Sequence, residues 1–314
     1  MGFMNIIKSL KTCIAAAAMA ASTLTLAGMA EAREFKVLSY NAMLLSKFTF
    51  PNHRQDDRAK LIPQALSRQG SWDVIVYNEA FENEARSILM LNTIGQGYPF
   101  MTDVPDKATI HDDSGVFLVS RHPIVETDTL VFSACDGSDC LANKGAVYAK
   151  IWKDNVYHHV FATHLQADDS EDAVTARTMQ LIQLQAFMLS KAAAASLNNE
   201  PVIIAGDLNF DRLHNSSEFK GMLGMFQAET PPELFHSFDP VNNGLAKWRY
   251  AGEQQMTLDY VLTSRFGTQP SETDYAVIRP KAGSSLRYSP FGGAGTTTSD
   301  LSDHYGISAT FRFN

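Results

Sequence analysis

The chain contains few cysteines and little positive charge. Of its 314 residues only three are cysteines, whereas a structural zinc site usually recruits several cysteines or histidines together. The formal net charge is −8, whereas a protein that binds duplex nucleic acid usually carries a basic surface. The charge argues against nucleic acid as a partner but leaves a local basic patch open. Acidic groups gathered at one place would favour a divalent cation.

Long apolar runs, repeats and linkers are absent beyond the N-terminal segment. No stretch after residue 32 has 18 consecutive apolar residues, so the mature protein is not expected to span a membrane. Hydrophobic residues make up 45% and charged residues 19%, as in a soluble globular protein with a sizeable core. We therefore expect one domain, residues 33–314.

The first 32 residues have the pattern of a secretory signal peptide. Lys8 and Lys11 precede an apolar stretch over 13–29, and the segment ends in an A-x-A pattern over 30–32. This arrangement predicts cleavage after Ala32 and secretion. The alternative is an uncleaved membrane anchor.

Two cysteines would remain after cleavage, Cys135 and Cys140, in the segment "ACDGSDCLANKG". An oxidising compartment allows a disulfide between them, with two free thiols as the alternative. A loop this short loses little closure entropy, so the bridge would shape the loop more than stabilise the fold.

Apolar runs that end in polar residues recur through the chain. Helical spacing predicts helices over 57–69 and 173–195, and we expect a loop from Gly292 to Ser302. Strands outnumber helices without a regular βαβ period, which favours an α/β sandwich of mixed sheets with helices outside. The predicted strands cover residues 35–40, 73–77, 115–120, 127–133, 146–152, 156–163, 201–205, 258–263 and 306–313.

Polar side chains cluster at the ends of these strands. Each one alone could be a turn or cap residue, but sites are usually built where loops leave a rigid sheet. The residues are Asn41, Glu79, His164, Asp207, Asn209, Asp303 and His304.

The residue types at the strand ends suit phosphoryl chemistry. The carboxylate of Glu79 and the amide oxygen of Asn41 are ligands that Mg²⁺ prefers. Asp303 could fix the imidazole tautomer of His304, which then acts as a base. His164 and Asn209 could donate hydrogen bonds to phosphate oxygens.

Several motifs resemble the endonuclease/exonuclease/phosphatase superfamily. They are "LSYNAM", "NEAF", "THLQADDS", "GDLN", "LDYVL" and "SDHY", in that order along the chain. Within the superfamily, "VFSACDGSDCLANKGAVYAKI" and "HLQADDS" resemble the secreted bacterial neutral sphingomyelinases, which are phospholipase C-type enzymes. The resemblance covers residue 35 to the C-terminus. It implies a DNase I-like, four-layer α/β/β/α sandwich of two mixed β-sheets flanked by helices.

The resemblance also implies a role for each matching position. Glu79 would be the central metal ligand beside Asn41. Asp207 would orient the attacking water or assist its activation, and Asn209 would hold the phosphate. His164 would stabilise the transition state or assist the leaving alkoxide. His304 would be the general base, oriented by Asp303, and Asp259 of "LDY" would support the site from behind.

A second metal ion at the edge of the sheet is also implied. Asn83, Asp112 and Asp113 match its ligand positions, with Asp112 where a Glu is common, although "HDDSG" is equally a turn sequence. One segment departs from the family. Residues 286–301 correspond to a long hairpin with adjacent exposed aromatics, but here they contain only Tyr288 and Phe291 as aromatics.

The implied activity is hydrolysis of sphingomyelin to ceramide and phosphocholine, with Mg²⁺ as cofactor and Mn²⁺ or Co²⁺ as possible replacements. A secreted monomer that contacts the membrane peripherally and lyses red cells as a toxin is expected. One alternative is a secreted Mg²⁺-dependent nuclease or other phosphodiesterase on the same fold. Another is a secreted binding protein that has lost catalysis.

Overall fold

The computed structural model describes residues 33–107, 111–232, 236–289 and 294–314. The predicted signal peptide and Phe291 lie outside the described residues. Residues Glu34–Phe313 form one compact unit. Among the described residues, no helix is both long and apolar enough to cross a bilayer.

Six strands form the first sheet, in the order β10-β13-β1-β2-β4-β3. β1 and β2 are parallel, whereas β4 runs antiparallel to both β2 and β3, and β10 antiparallel to β13. The strands are β1 (Arg33–Asn41), β2 (Val74–Asn78), β3 (Phe100–Met101), β4 (Phe117–Ser120), β10 (Glu272–Ile278) and β13 (Gly306–Phe313).

Five strands form the second sheet, in chain order. β7 and β8 are parallel and the other neighbours are antiparallel, so this sheet is mixed, as predicted. The strands are β5 (Ile124–Val131), β6 (Gly145–Lys153), β7 (Val156–His164), β8 (Val202–Asp207) and β9 (Asp259–Ser264).

Helices cover the outer faces of both sheets, which gives the predicted α/β/β/α order. Side chains of α1 and α2 pack on the first sheet, and side chains of α3 and α4 pack on the second. A third apolar core fills the space between the sheets, with Val76 from one and Val160 from the other. The helices are α1 (Gln55–Ser67), α2 (Asn83–Ile94), α3 (Glu171–Ala192), α4 (Ser216–Phe226) and α5 (Gly244–Arg249).

The segment from Gly292 to Ser302 is not simply a loop, contrary to the prediction. Its described part contains β12 (Thr296–Asp300), which pairs antiparallel with β11 (Lys281–Tyr288). The strand was not predicted because its glycine- and threonine-rich sequence lacks the alternation of apolar and polar residues that is typical of a strand. Tyr288 is fully buried and its hydroxyl donates to the carbonyl of Asp300, so its ring is not available for a contact with lipid.

Close packing of β7 and β8 depends on Gly206. A Cβ at this position would lie 1.9 Å from the carbonyl oxygen of Thr163 on β7. Only glycine therefore allows the two strands to approach. Their register places His164 opposite Asp207, and the next pairing places Asp207 opposite Asp259 on β9.

Candidate active site

The predicted strand-end residues converge at one edge of the two sheets. Asn41 ends β1 and pairs in register with Asn78, which ends β2 and precedes Glu79. A hydrogen bond of 2.9 Å from the amide of Asn78 to the carbonyl of Thr163 ties the two sheets together there. Residues distant in sequence are thereby held within a few ångströms of one another.

Two carboxylates form the centre of the site: Asp207 is buried, whereas the side chain of Glu79 is 18% exposed. The amide nitrogen of Asn41 donates to Glu79 Oε1 at 2.9 Å and to Asp207 Oδ2 at 3.0 Å. Burial, together with Asp303, raises the pKa of Glu79. Burial, with Asp259 and Glu79 nearby, raises the pKa of Asp207 to about 7. Such a concentration of carboxylates suits a divalent cation.

Backbone strain accompanies this centre. Glu79 has φ of 54°, in the left-handed region that a side chain such as glutamate rarely occupies; Asn209 has the same φ, which asparagine tolerates more readily. Strain of this kind persists where the surrounding structure imposes it, and it is concentrated at functional sites.

The oxygen ligands fit a hard cation, but Asn41 is turned away from that role. Its Oδ1 accepts a hydrogen bond of 3.0 Å from the backbone N–H of Met43, so its amide nitrogen faces the carboxylates. A nitrogen donor can bridge two carboxylates but does not ligate Mg²⁺. Glu79 and Asp207 would hold the ion directly, and Asn41 would join them only after its amide rotates.

His304 is oriented by Asp259 and not by Asp303, which corrects the expectation from sequence. Its Nδ1 lies 2.8 Å from Asp259 Oδ2. Asp303 instead faces Arg249, with its Oδ2 3.5 Å from the guanidinium Nε. The physical reason is that adjacent side chains of an extended segment point to opposite sides.

Charge around His304 favours its protonated form. Burial alone would lower the pKa of the imidazole, but the carboxylates of Asp259 and Asp207 outweigh it and hold the pKa well above 6.5. A metal ion bound beside the same carboxylates would oppose protonation of His304 and so lower the pKa of its imidazole.

His164 lies between the carboxylates and a buried lysine. Its Nε2 is 3.8 Å from Asp207 Oδ2, 4.0 Å from Glu79 Oε1 and 3.2 Å from Lys144 Nζ. Burial, and then the charges of Lys144 and His304, hold the pKa of His164 well below 6.5. An ammonium group can only donate, so Nε2 is the acceptor here and not the predicted donor to phosphate.

A cavity of about 540 Å³ opens directly onto this centre. Asn209 lines it and donates one amide hydrogen to the carbonyl of Leu165 at 2.9 Å, which leaves its second N–H for a ligand. The other walls combine aromatic and acidic side chains, among them Phe238, Tyr250 and Asp168. The cavity can therefore hold a ligand in which a polar group lies next to an apolar one.

The predicted edge ligands also come together, but around an arginine. Arg86 forms a salt bridge of 2.7 Å with Asp113 and also donates to the side chain of Asn83. Burial, and then the charge of Asp113, raises the pKa of Asp112. A guanidinium therefore occupies the position where the sequence predicts a second metal ion.

Three further residues contribute to the site without having been predicted from the sequence. Asn78 and Lys144 stand inside the quoted motifs "NEAF" and "NKG", so a signal for both was present. Arg249 has no motif, and only the fold brings it to Asp303. The predicted disulfide between Cys135 and Cys140 is confirmed, and Asp139 of the turn that it closes accepts a hydrogen bond from the backbone N–H of Ala167.

Known proteins share both the sequence and the arrangement. The profile of the Endonuclease/Exonuclease/phosphatase family matches residues 38–304. Sphingomyelinase C of Bacillus cereus is 34% identical over 299 residues, which cover 88% of each chain.

Solved structures give the same result. Sphingomyelinase C from Streptomyces griseocarneus superimposes with a TM-score of 0.79 at 32% identity, over 90% of this chain and 100% of that one. A beta toxin mutant of Staphylococcus aureus, with bound magnesium ions, gives a TM-score of 0.80 at 31% identity, over 88% and 99%. The chain thus belongs to the endonuclease/exonuclease/phosphatase family, in the branch that contains the bacterial sphingomyelinases C.

Proposed function

We propose that this protein is a Mg²⁺-dependent sphingomyelinase that hydrolyses sphingomyelin to ceramide and phosphocholine, with residues 33–314 as its single catalytic domain. The observation that carries the proposal is that His304, which is paired with Asp259, lines one cavity together with the carboxylates of Glu79 and Asp207. Relatives named sphingomyelinase C, about one-third identical, support the choice of substrate.

The chain's own groups divide the work of an in-line hydrolysis. His304 accepts the proton of the attacking water at Nε2, because Nδ1 is engaged by Asp259. Asp207 orients that water, and the second amide hydrogen of Asn209 binds a non-bridging phosphate oxygen. Glu79 would hold a divalent ion, which would supply charge neutralisation for the phosphoryl transfer.

Head-group-resolved lipid hydrolysis tests the proposal. Vesicles with sphingomyelin or phosphatidylcholine would be incubated with the protein and Mg²⁺, and then with EDTA, while phosphocholine is measured. We expect release from sphingomyelin with Mg²⁺ only. Absence of release in every condition refutes the proposal, and Mg²⁺-dependent plasmid degradation in its place supports the nuclease alternative.

A second measurement separates catalysis from binding. The variant His304→Ala removes the base, so we expect both hydrolysis and lysis of red cells to be lost while vesicle binding persists. A variant that lyses cells as fast as the unmodified protein would support the binding-protein alternative.

Secretion and peripheral membrane contact are part of the same proposal, with the protein acting as a monomer. Phe48 supports a lipid contact: it lies in the loop that follows β1, at the edge that carries the site, and its side chain is 97% exposed. Exposed aromatic rings favour the membrane interface. Secretion rests on the N-terminal pattern and on the disulfide, which an oxidising compartment preserves.

Metal preference follows from the oxygen ligands. Mg²⁺ is proposed as the resident ion because a relative carries bound magnesium ions, and Mn²⁺ or Co²⁺ are proposed as replacements. The edge group of Asn83, Asp112 and Asp113 is proposed to bind a second ion only after Arg86 is displaced.

A further inference from the structure

We propose that Lys144 is a positioning residue for His164, and that Asp139 of the disulfide-bridged turn holds Lys144 in place. This inference deepens the proposed function and rests on it for its effect on turnover. The turn is the 3-10 helix Gly137–Leu141, which the bond between Cys135 and Cys140 encloses.

Lys144 is almost fully buried, and its three N–H groups have three acceptors. Its Nζ lies 2.6 Å from Asp139 Oδ2, 2.6 Å from the carbonyl oxygen of Leu165 and 3.2 Å from His164 Nε2. Two of these partners are strong acceptors at short range, so the ammonium is fixed in position. The third N–H is left to point at the imidazole.

This contact determines which nitrogen of His164 carries the proton. Nε2 accepts from a cation that cannot be an acceptor itself, so the ring proton resides on Nδ1. Nδ1 is buried and has no hydrogen-bond partner in the described structure. An unpaired buried N–H is unfavourable, so the Nδ1–H tautomer is not stabilised by the surroundings of Nδ1. The contact of Nε2 with Lys144 therefore selects this tautomer.

Without Lys144 the other tautomer would be favoured. The acceptors nearest to Nε2 would then be the carboxylates of Asp207 and Glu79, at 3.8 and 4.0 Å, and a proton on Nε2 would be attracted to both. His164 would turn towards the carboxylates that the cation needs. Lys144 therefore keeps Nε2, the nitrogen that faces the site, free of the ring proton.

The disulfide-bridged turn is anchored to the site through Asp139. The same Oδ2 that binds Lys144 accepts a hydrogen bond of 2.8 Å from the backbone N–H of Ala167, three residues after His164. The backbone N–H of Asp136 donates to the side chain of Gln166 at 2.9 Å. The loop after β7 and the disulfide-bridged turn thus form one hydrogen-bonded unit around the lysine.

Lys153 provides a matched control at the other end of β6. Its Nζ forms a comparable ion pair of 2.9 Å with Asp73, and it ends the strand that Lys144 precedes. Replacing either lysine with methionine removes one ion-paired cation from an end of β6, although the side chain of Lys153 is 16% exposed and that of Lys144 only 3%. Only the change at Lys144 should alter His164.

The decisive experiment is nitrogen-15 NMR of the imidazole rings in metal-free protein, with the His164 signal assigned by its loss in His164→Gln. We expect the Nδ1–H tautomer in the unmodified protein and in Lys153→Met. In Lys144→Met and Asp139→Asn we expect a proton on Nε2. A ring with the same tautomer in all four proteins would overturn the inference.

Turnover gives the second measurement. With saturating Mg²⁺, kcat/KM for sphingomyelin should fall at least about tenfold in Lys144→Met and much less in Lys153→Met, as for residues that orient a functional group. If the unmodified protein has no sphingomyelinase activity but the NMR result holds, only the proposed function fails. If it is active and Lys144→Met matches it in both rate and tautomer, the inference fails.

Discussion

Replacement of Asp259 by asparagine should lower kcat strongly without unfolding the protein. Asp259 is fully buried and its Oδ2 lies 2.8 Å from Nδ1 of His304. Two unit charges at that separation attract by about 6 kcal/mol at an effective dielectric constant near 20, and part of this offsets the burial of the carboxylate. The variant removes that attraction from the protonated imidazole, which forms when the base takes its proton.

The asparagine also disturbs the tautomer. If its amide nitrogen faces Nδ1, the ring must carry its proton on Nε2, where a base needs a lone pair. Loss of a positioned general base typically costs about 10²- to 10⁴-fold in rate, or roughly 3–5 kcal/mol of activation free energy. We expect kcat for sphingomyelin to fall within that range.

The pH profile provides a second test with a defined sign. Asp259 raises the pKa of His304, and the base is active only when neutral, so activity rises as pH passes upward through that pKa. Without the carboxylate the pKa falls, and the acidic limb should move to lower pH. Phosphocholine release would be followed from pH 5 to 9 at saturating Mg²⁺.

Asp73 supplies the control for this variant. It also contacts a histidine, with Oδ1 2.6 Å from Nε2 of His122, but it precedes β2 at the end away from the site. Asp73→Asn should change stability without changing kcat. The reasoning is refuted if Asp259→Asn folds, keeps more than about a tenth of the activity and retains the same acidic limb.

Three further outcomes are expected. Affinity for Mg²⁺, measured by calorimetry, should rise as the pH passes through about 7, with release of protons, because Asp207 must ionise before it binds a cation. This pH dependence should vanish in Asp207→Asn. A pH-independent affinity of the unmodified protein would contradict the assignment. Phe48→Ser should weaken binding to sphingomyelin vesicles by about 10- to 100-fold, since burying a phenyl group contributes roughly 1.5–3 kcal/mol. Leu197→Ser should not, because Leu197, which is 86% exposed against 97% for Phe48, precedes β8 at the end away from the site; equal losses would exclude a specific contact. Arg58→Met should lower the free energy of unfolding by several kcal/mol in urea titrations, because the buried guanidinium donates to four backbone carbonyls that would lose their partner. These are the carbonyls of His53, Ala42, Leu301 and Met43. A loss below about 1 kcal/mol would contradict this.

The sequence predicted element bounds best where apolar residues recur with a regular period and a polar residue follows the last of them. The strand 306–313 was predicted to the residue, and the long helix over 173–195 was found within three residues of its observed bounds. Apolar periodicity is a local property, so it survives in the sequence. Helices α2, α4 and α5 were missed because their shorter apolar faces are interrupted by polar and glycine residues.

What the sequence determined by itself was the inventory of reactive groups and the strand ends that carry them. Asp207 and His164 were placed correctly because each directly ends an apolar run, and the motifs supplied the family. Such placements require only the periodicity of a strand and the position of its last residue.

Only the tertiary structure decided which groups touch. Asp303 is next to His304 in sequence, yet Asp259, 45 residues away, makes the hydrogen bond. Arg86 reaches Asp113 and Lys144 reaches Asp139 in the same unpredicted way. Sheet register and side-chain direction set these contacts, and both depend on strands that are far apart along the chain.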